Sequence, residues 1–212
     1  LRIPCDHYRD EDTMAAVDRA QAKFGALDVL VNSAWGGYER MIEDGQFTWG
    51  APFWQQPMFR WGAMMDAGTR SAFVASRQTA PGMVARRSGL IVNVSHWAAQ
   101  RHIANVIYGV SKAATDKLTS DMAHELREHQ VAVVSLYPGM VRTELVMQAA
   151  QWLDLSNSES PEFQGRVIAA LAADEKRLER TGQVLVTAQL ALEYGVDDDG
   201  RQPHPLTLET CV

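Results

Sequence analysis

Residues 89–95 read GLIVNVS, a short apolar run rich in β-branched residues that begins at a glycine and ends at a polar side chain. A run of this length and composition predicts a buried strand. Three further runs have the same character: residues 27–32 (LDVLVN), 131–137 (VAVVSLY) and 183–187 (QVLVT). A shorter strand is predicted ahead of them, ending at Asp6.

Helix-forming stretches separate these strands. Residues 10–24 begin with acidic side chains and stop before Gly25, and residues 58–87 and 108–129 form two longer stretches. The alternation of strand and helix implies right-handed crossovers and a parallel sheet covered on both faces. We predict a single domain, residues 1–212, with a doubly wound, Rossmann-like α/β fold.

The composition is that of an ordinary globular protein. Of the 212 residues, 46% are hydrophobic and 22% are charged, which suits one sizeable core. The net charge of −6, without a basic cluster, excludes nucleic acid and anionic membrane surfaces as expected partners. No apolar run has the length of about 20 residues that spans a bilayer.

Cysteine usage suggests a reducing compartment. Cys5 and Cys211 stand at opposite ends of the chain, without the spacing of a metal site or a CxxC motif. We therefore expect a cytoplasmic protein without a bound metal.

Tyr108 and Lys112 are the residues most suggestive of chemistry. They are four residues apart, so a helix places both side chains on one face. A free tyrosine has a pKa of about 10, and a nearby ammonium lowers it towards the range useful for proton transfer. The spacing also occurs by chance, and a half-exposed pair on a helix surface is the alternative.

Three strand ends favour the chemical interpretation. Ser95 ends a predicted strand 13 residues before Tyr108, residues 32–34 end another, and residues 138–143 follow a third. Ligands of doubly wound folds lie at this carboxyl edge of the sheet. Small or polar groups from several elements are thus expected to meet there.

This arrangement resembles the short-chain dehydrogenase/reductase family, whose N-N-A-G, serine, Y-x-x-x-K and P-G-x-x-x-T motifs fall in the same order. The likeness covers nearly the whole chain, and the stretches FWQQP, AGTR and YGVSKAATDKL indicate one branch of the family. It implies that Tyr108 is the general acid or base, that Ser95 binds the reacting oxygen, and that Lys112 lowers the Tyr108 pKa and holds the nicotinamide ribose.

The resemblance also implies a cofactor, NAD or NADP. The implied cofactor-binding residues are Asp6, Asn32, Ser33, Ala34, Tyr108, Lys112, Pro138, Gly139, Val141 and Thr143. Thr143 would bind the carboxamide, Pro138, Gly139 and Val141 would form a wall beside the ring, and Asp6 would face the adenine. The implied function is NAD(P)-dependent interconversion of a small-molecule carbonyl and an alcohol.

Two alternatives remain open. The family's first strand and glycine-rich turn should precede Asp6, and the sequence has no room for this first βαβ portion. Either the sequence starts within a longer polypeptide, or the protein is a catalytically silent scaffold without a complete dinucleotide site. A hydrolase using Ser95 and His96 is a poor alternative, because the serine lacks a G-x-S-x-G context.

Several positions depart from the family pattern or extend it. Gly68 stands where the family usually has an Asn that holds a water beside the lysine, and its carbonyl could still bind such a water. Trp35 replaces a glycine and is expected to narrow the pocket. His96 and His102 are expected to be solvated loop residues.

Two further expectations concern larger segments. Residues 144–160 are predicted to form a substrate lid. The helices at 58–87 and 108–129 are those through which the family forms dimers, so the resemblance implies a homodimer or homotetramer.

Overall fold

The computed structural model describes residues 1–148 and 150–211. Its strands are β1 (Val29–Asn32), β2 (Ile42–Glu43), β3 (Gln46–Phe47), β4 (Gly89–Val94), β5 (Val131–Tyr137) and β6 (Val184–Val186). Four of them form a parallel sheet in the order β1-β4-β5-β6, and β2 and β3 form a small antiparallel hairpin. The four strands predicted at 27–32, 89–95, 131–137 and 183–187 are confirmed, with ends that differ by at most two residues.

The helices are α1 (Asp10–Phe24), α2 (Phe59–Met64), α3 (Ser71–Arg86), α4 (Val106–Leu126), α5 (Glu144–Gln148), α6 (Pro161–Ala173) and α7 (Thr187–Tyr194). Ser160 caps α6, because its hydroxyl accepts the backbone N–H of Phe163 at 3.0 Å. Within the described ranges, no helix combines the length and the apolar character needed to cross a membrane.

Strand β5 shows that both faces of the sheet are covered. Ala132, Val134 and Leu136 pack with the apolar side chains of α6 and α7. Val131 and Val133, which point the other way, pack with Met83 of α3 and Ala123 of α4. A strand that is buried on both faces reads as a continuous apolar run, which explains the sequence of β5. The predicted doubly wound α/β fold is confirmed.

The register aligns the carboxyl ends of the central strands. Asn32 of β1 is level with Asn93, and Val94 is level with Leu136 of β5. The backbone N–H of Ser95 donates to the carbonyl of Leu136 at 2.9 Å, so pairing continues one residue beyond β4. Residues that follow these strands therefore emerge at one edge of the sheet.

The predicted strand ending at Asp6 is wrong. Residues 1–6 are irregular, because no strand in the described residues lies beside them to supply ladder hydrogen bonds. The Asp6 carboxylate instead accepts the backbone N–H of Tyr8 at 3.0 Å, which makes a turn before α1.

The helix predicted at 58–87 contains a π-helical turn, Met65–Arg70, between α2 and α3. The Ser71 N–H donates to the carbonyl of Asp66, five residues earlier, as a π-helix requires. Such turns insert an extra residue into a helix and often lie at functional sites. This turn contains Gly68.

A buried polar network joins the sheet to α4. The Asn32 side chain donates to the Asn93 side chain at 2.8 Å, and Asn93 donates to the Thr119 hydroxyl at 2.8 Å. The Ser135 hydroxyl donates to the same Thr119 oxygen at 2.9 Å, and Thr119 donates to the Thr115 carbonyl at 3.0 Å. Asn93, Thr119 and Ser135 are buried.

We expect Thr119→Val to lower the free energy of unfolding by about 1 to 3 kcal/mol, because two buried donors lose their acceptor. Chemical denaturation followed by circular dichroism measures this change. Ser120→Ala is the matched control, since its exposed hydroxyl donates only to the Lys117 carbonyl at 3.0 Å, and it should cost less than about 0.5 kcal/mol. Equal losses in the two variants would contradict the role of the network.

Candidate active site

The predicted catalytic residues come from β4 and α4. Ser95 directly follows β4, and Tyr108 and Lys112 lie in the first two turns of α4. Ser95 is 2% exposed, Tyr108 6% and Lys112 5%. The Ser95 hydroxyl donates to the Lys112 carbonyl at 3.3 Å, which joins the strand end to the helix turn carrying the other two residues. The alternative of a half-exposed surface pair is therefore excluded by burial.

Asn105 fixes where α4 begins. Its side-chain oxygen accepts the Tyr108 N–H at 2.9 Å, and its amide donates to the Trp49 carbonyl at 3.1 Å. The first bond caps the helix, and the second anchors the cap to the long loop after β1. Asn105 thus sets the position of Tyr108 along the helix axis.

Aromatic rings surround Tyr108. The ring centroids of Trp35, Tyr38, Trp49 and His96 lie 6.0, 6.2, 5.7 and 5.4 Å from that of Tyr108. Sequence reasoning missed Tyr38 and Trp49. The loop after β1 is rich in aromatic residues, and this was the available signal. The local sequence does not reveal that the loop packs against α4.

Burial raises the pKa of Tyr108 well above its usual range, and the neighbouring Tyr38 raises it further through charge repulsion and a hydrogen bond. This result differs from the expected lowering by Lys112. The Lys112 ammonium lies 5.8 Å from the centre of the Tyr108 ring and makes its closer contacts elsewhere. The Tyr108 hydroxyl is therefore protonated at neutral pH.

Lys112 is a buried cation. Its ammonium donates to the Val94 carbonyl at 3.2 Å and lies 3.5 Å from the centre of the Trp35 ring. Burial lowers the Lys112 pKa to about 7, although the carboxylate of Asp116 opposes this change. The side chain can thus hold or release a proton near neutral pH.

His96 faces Tyr108 and is partly buried, so the expectation of a solvated loop histidine is wrong for this residue. Burial, followed by the charge of Lys112, lowers its pKa to about 4. Its Nδ1 accepts the Ala98 N–H at 3.1 Å, so Nε2 carries the proton of the neutral ring. His102 is exposed, as expected.

Tyr137, the last residue of β5, was not predicted to belong to the site. Its hydroxyl donates to the Asp116 carboxylate and accepts the Gln100 amide at 3.4 Å. Burial and the bond to Asp116 raise its pKa. Tyr137 therefore links the end of β5 to Asp116 of α4.

The predicted cofactor residues after β1 differ in what they contact. The Asn32 amide donates to Asn93, to the Ser76 hydroxyl at 3.1 Å and to the Ala72 carbonyl at 3.4 Å, so it holds β1 against α3. Ser33 is exposed and Ala34 is half-buried. Ser33 and Ala34 thus remain open at the sheet edge, while Asn32 has a structural role.

The segment after β5, which is predicted to lie beside the nicotinamide ring, packs on Glu159. The Gly139 N–H donates to Glu159 at 2.9 Å, and Val141 makes a β-bridge to the same residue. A Cβ at Gly139 would lie 3.0 Å from the Glu159 carboxylate, so this close approach favours glycine. Pro138 is half-buried, and Thr143 is exposed at the end of this segment.

Glu159 is a buried residue that sequence reasoning did not single out. Burial raises its pKa to about 7, although bonds from Gly139 and Gln164 oppose the rise. Glu159 is buried by its contacts with residues 139–141, which are distant in sequence. The polar composition of residues 154–162 did not indicate a buried side chain.

The structure does not bring Asp6 to the catalytic residues by any hydrogen bond, because its side chain is used in the turn to Tyr8. The predicted lid contains α5 and exposes Leu145 and Met147. Ala149, within the lid, lies outside the described residues. The lid and the cofactor assignments stay predictions.

The sequence of this chain is similar to those of known proteins. Residues 1–154 match the family model described as short chain dehydrogenase. Dehydrogenase/reductase SDR family member 1 of Mus musculus is 38% identical and that of Homo sapiens 37%, each match covering 94% of this chain and 67% of the relative. The predicted family and branch are confirmed.

A solved structure described as a short-chain type dehydrogenase/reductase from Mycobacterium marinum is also similar. It superposes with a TM-score of 0.72 at 25% identity, over 88% of this chain and 73% of that one. The fold of the chain thus agrees with the resemblance in sequence.

We expect Lys112→Met to raise the free energy of unfolding at pH 7 by about 1 to 4 kcal/mol, because a buried charge is replaced by an apolar side chain. The folded-state pKa of about 7 lies below the unfolded value of 10.5. Between these values the unfolded state binds the extra proton, so wild-type stability rises with pH and the advantage of the variant shrinks.

Chemical denaturation at pH 7 and at pH 9.5 measures this difference. Lys117→Met is the matched control, since Lys117 is an exposed residue paired with Asp121, and it should give no such gain. Destabilisation by Lys112→Met at both pH values would show that the ammonium is well compensated in the fold.

Proposed function

The chain belongs to the short-chain dehydrogenase/reductase family, and on this basis we propose that it is an NAD(P)-dependent oxidoreductase that interconverts a carbonyl and an alcohol. The observation that carries the proposal is the junction of β4 and α4. There the buried Ser95 hydroxyl is bonded to the Lys112 carbonyl at 3.3 Å, with Tyr108 one turn earlier on the same helix.

Tyr108 is the proposed proton donor to the carbonyl oxygen. The phenol is protonated at neutral pH, as a proton donor must be, while its raised pKa makes it a weak acid in the absence of a nearby positive charge. In the reverse direction the phenolate needs a nearby positive charge, and Lys112 is the cation on the same face of the helix. The aromatic residues around Tyr108 restrict water, so the proton passes to substrate rather than to solvent.

Ser95 is proposed to donate a hydrogen bond to the same substrate oxygen, for which its hydroxyl proton turns away from the Lys112 carbonyl. The serine itself is held at the end of β4, because its backbone N–H donates to the Leu136 carbonyl at 2.9 Å. A donor whose position is fixed before the substrate arrives stabilises developing negative charge on that oxygen. Small-molecule carbonyls and alcohols are the proposed substrates.

The residues at this edge fit the nicotinamide half of a dinucleotide. The Lys112 ammonium and the Tyr108 hydroxyl are donors suited to ribose hydroxyls, and the exposed Thr143 hydroxyl suits the carboxamide. When bound, the nicotinamide supplies or accepts the hydride, and the protein supplies alignment and the proton.

The silent-scaffold alternative is not favoured. A scaffold would have no need to bury a lysine at a cost in stability, and the burial of Lys112 beside Ser95 and Tyr108 is typical of a functional site.

We further propose a homodimer or homotetramer formed through the helices at 58–87 and 108–129, in the cytoplasm. Phe73 of α3 is 48% exposed, and Val110 of α4 is 41% exposed. An interface would remove these apolar side chains from water. Light scattering of the purified protein at micromolar concentration should give at least twice the protomer mass, and a monomer mass would contradict the proposal.

We expect Tyr108→Phe to lower the rate of carbonyl reduction at least about a thousandfold, because no proton donor remains for the substrate oxygen. Reduction of a panel of aldehydes and ketones by NADH or NADPH, followed by nicotinamide absorbance, measures the rate. Binding of the reduced cofactor, measured by fluorescence, should weaken by no more than about tenfold, because one of the two proposed ribose donors is lost.

Tyr194→Phe is the matched control. The Tyr194 hydroxyl donates to Asp174 at 2.8 Å and makes no hydrogen bond to Ser95, Tyr108 or Lys112, so the variant should retain the wild-type rate. A Tyr108→Phe variant that keeps wild-type turnover would refute the mechanism.

A further inference from the structure

Trp35 and Gly68 fit each other closely. Trp35 lies three residues beyond the end of β1, and Gly68 lies in the π-helical turn. A Cβ added at Gly68 would lie 2.6 Å from both Cε3 and Cζ3 of the Trp35 ring. Any side chain at position 68 would therefore displace the ring, so the glycine is what admits the tryptophan.

The same ring contacts the buried lysine. The Lys112 ammonium lies 3.5 Å from the centre of the Trp35 ring, well within the range of cation–π attraction. Tryptophan gives the strongest attraction of this kind, and the attraction grows as the pair loses contact with water. Lys112 is 5% exposed, so the contact lies in the favourable range.

Trp35 is held by packing rather than by a hydrogen bond. Its Nε1 is buried and has no hydrogen-bond partner among the described residues. Leaving this donor unpaired costs free energy, which the fit to Gly68 and the contact with Lys112 must offset. The ring also meets Tyr108 edge-on, at 6.0 Å and an interplanar angle of 81°.

The Gly68 carbonyl has partners of its own. It accepts the Ser71 hydroxyl at 3.0 Å and the Ser71 backbone N–H. Both donors are shared, because the Ser71 hydroxyl lies closer to the Ala67 carbonyl, at 2.7 Å, and the N–H also donates to the Asp66 carbonyl. The expectation that the Gly68 carbonyl could bind a water beside Lys112 stays a prediction.

We propose that Trp35 is a positioning residue for Lys112, and that Gly68 is the position that seats its ring. The ring and the Val94 carbonyl hold the ammonium between them, at 3.5 Å and 3.2 Å. The inference rests on the proposed function only for the role of Lys112 in the reaction. The expectation that Trp35 narrows the substrate pocket stays a prediction.

The contact has an electrostatic consequence. Attraction to the ring favours the charged form of Lys112, in the same sense as the Asp116 carboxylate one turn along α4. Two further titratable groups lie near the ammonium: the neutral His96 ring, whose pKa the Lys112 charge lowers, and the protonated Tyr108, whose ring centre is 5.8 Å away. Loss of the ring should therefore lower the pH at which Lys112 gives up its proton.

The test is a titration of Lys112 by NMR in the full chain labelled with ¹³Cε-lysine. The sequence contains four lysines, and Lys23, Lys117 and Lys176 are exposed, so they serve as internal references. Lys112→Met assigns the fourth resonance. We expect Trp35→Leu to lower the Lys112 midpoint by about one pH unit, and Trp35→Phe, which keeps a ring, to lower it by less.

Gly68→Ala tests the packing of the Trp35 ring against position 68 without removing the ring. It should lower the midpoint as Trp35→Leu does, because the added methyl displaces the ring. In the Trp35→Leu background the same alanine should have no further effect, since the two residues act through one contact. Additive effects, or an unchanged or raised midpoint in folded Trp35→Leu and Gly68→Ala proteins, would overturn the proposal.

The titration does not depend on turnover, so the two proposals can fail separately. A protein with the expected midpoints that neither binds nor oxidises a reduced nicotinamide would retain the positioning role and lose the proposed function. If the enzyme is active but neither substitution changes the Lys112 titration midpoint, the proposed function stands and the positioning role is refuted. If Trp35→Leu does not fold, Trp35→Phe and Gly68→Ala decide the question by the same measurement.

Discussion

The burial of the Lys112 ammonium is the constraint on which the rest of the site depends. A cation that is 5% exposed needs compensation, and here it receives one carbonyl, one indole face and the field of Asp116. Each compensating group comes from a different element: Val94 from β4, Trp35 from the loop after β1, and Asp116 from the next turn of α4. The parallel sheet brings these elements to one edge, so the fold and the site have a common cause.

The sequence predicted the parts of the molecule that depend on local pattern. The apolar runs of β4 and β5 are continuous because both faces are buried, and this pattern identified the strands and their order along the chain. The placement of Ser95 at a strand end, and of Tyr108 and Lys112 at a helix start, followed from the same pattern. Their proximity to one another needed the additional rule that strand ends of parallel sheets share an edge.

Long-range contacts could not be predicted in this way. The seating of Trp35 on Gly68, the π-helical turn and the packing of Tyr38 and Trp49 around Tyr108 arise when the loop after β1 folds over two helices. The direction of the Tyr108 pKa depends on the amount of burial, which a motif does not state. The strand expected before Asp6 failed because strand formation needs a neighbour, whatever the local composition.

The most direct measurement of the central claim is a crystal structure of the protein grown with saturating NADH or NADPH. The account predicts a dinucleotide at the carboxyl edge of the sheet, with its nicotinamide ribose within hydrogen-bond distance of the Lys112 ammonium and the Tyr108 hydroxyl. A dinucleotide bound away from Ser95, Tyr108 and Lys112, or a site that stays empty at saturation, would contradict the account.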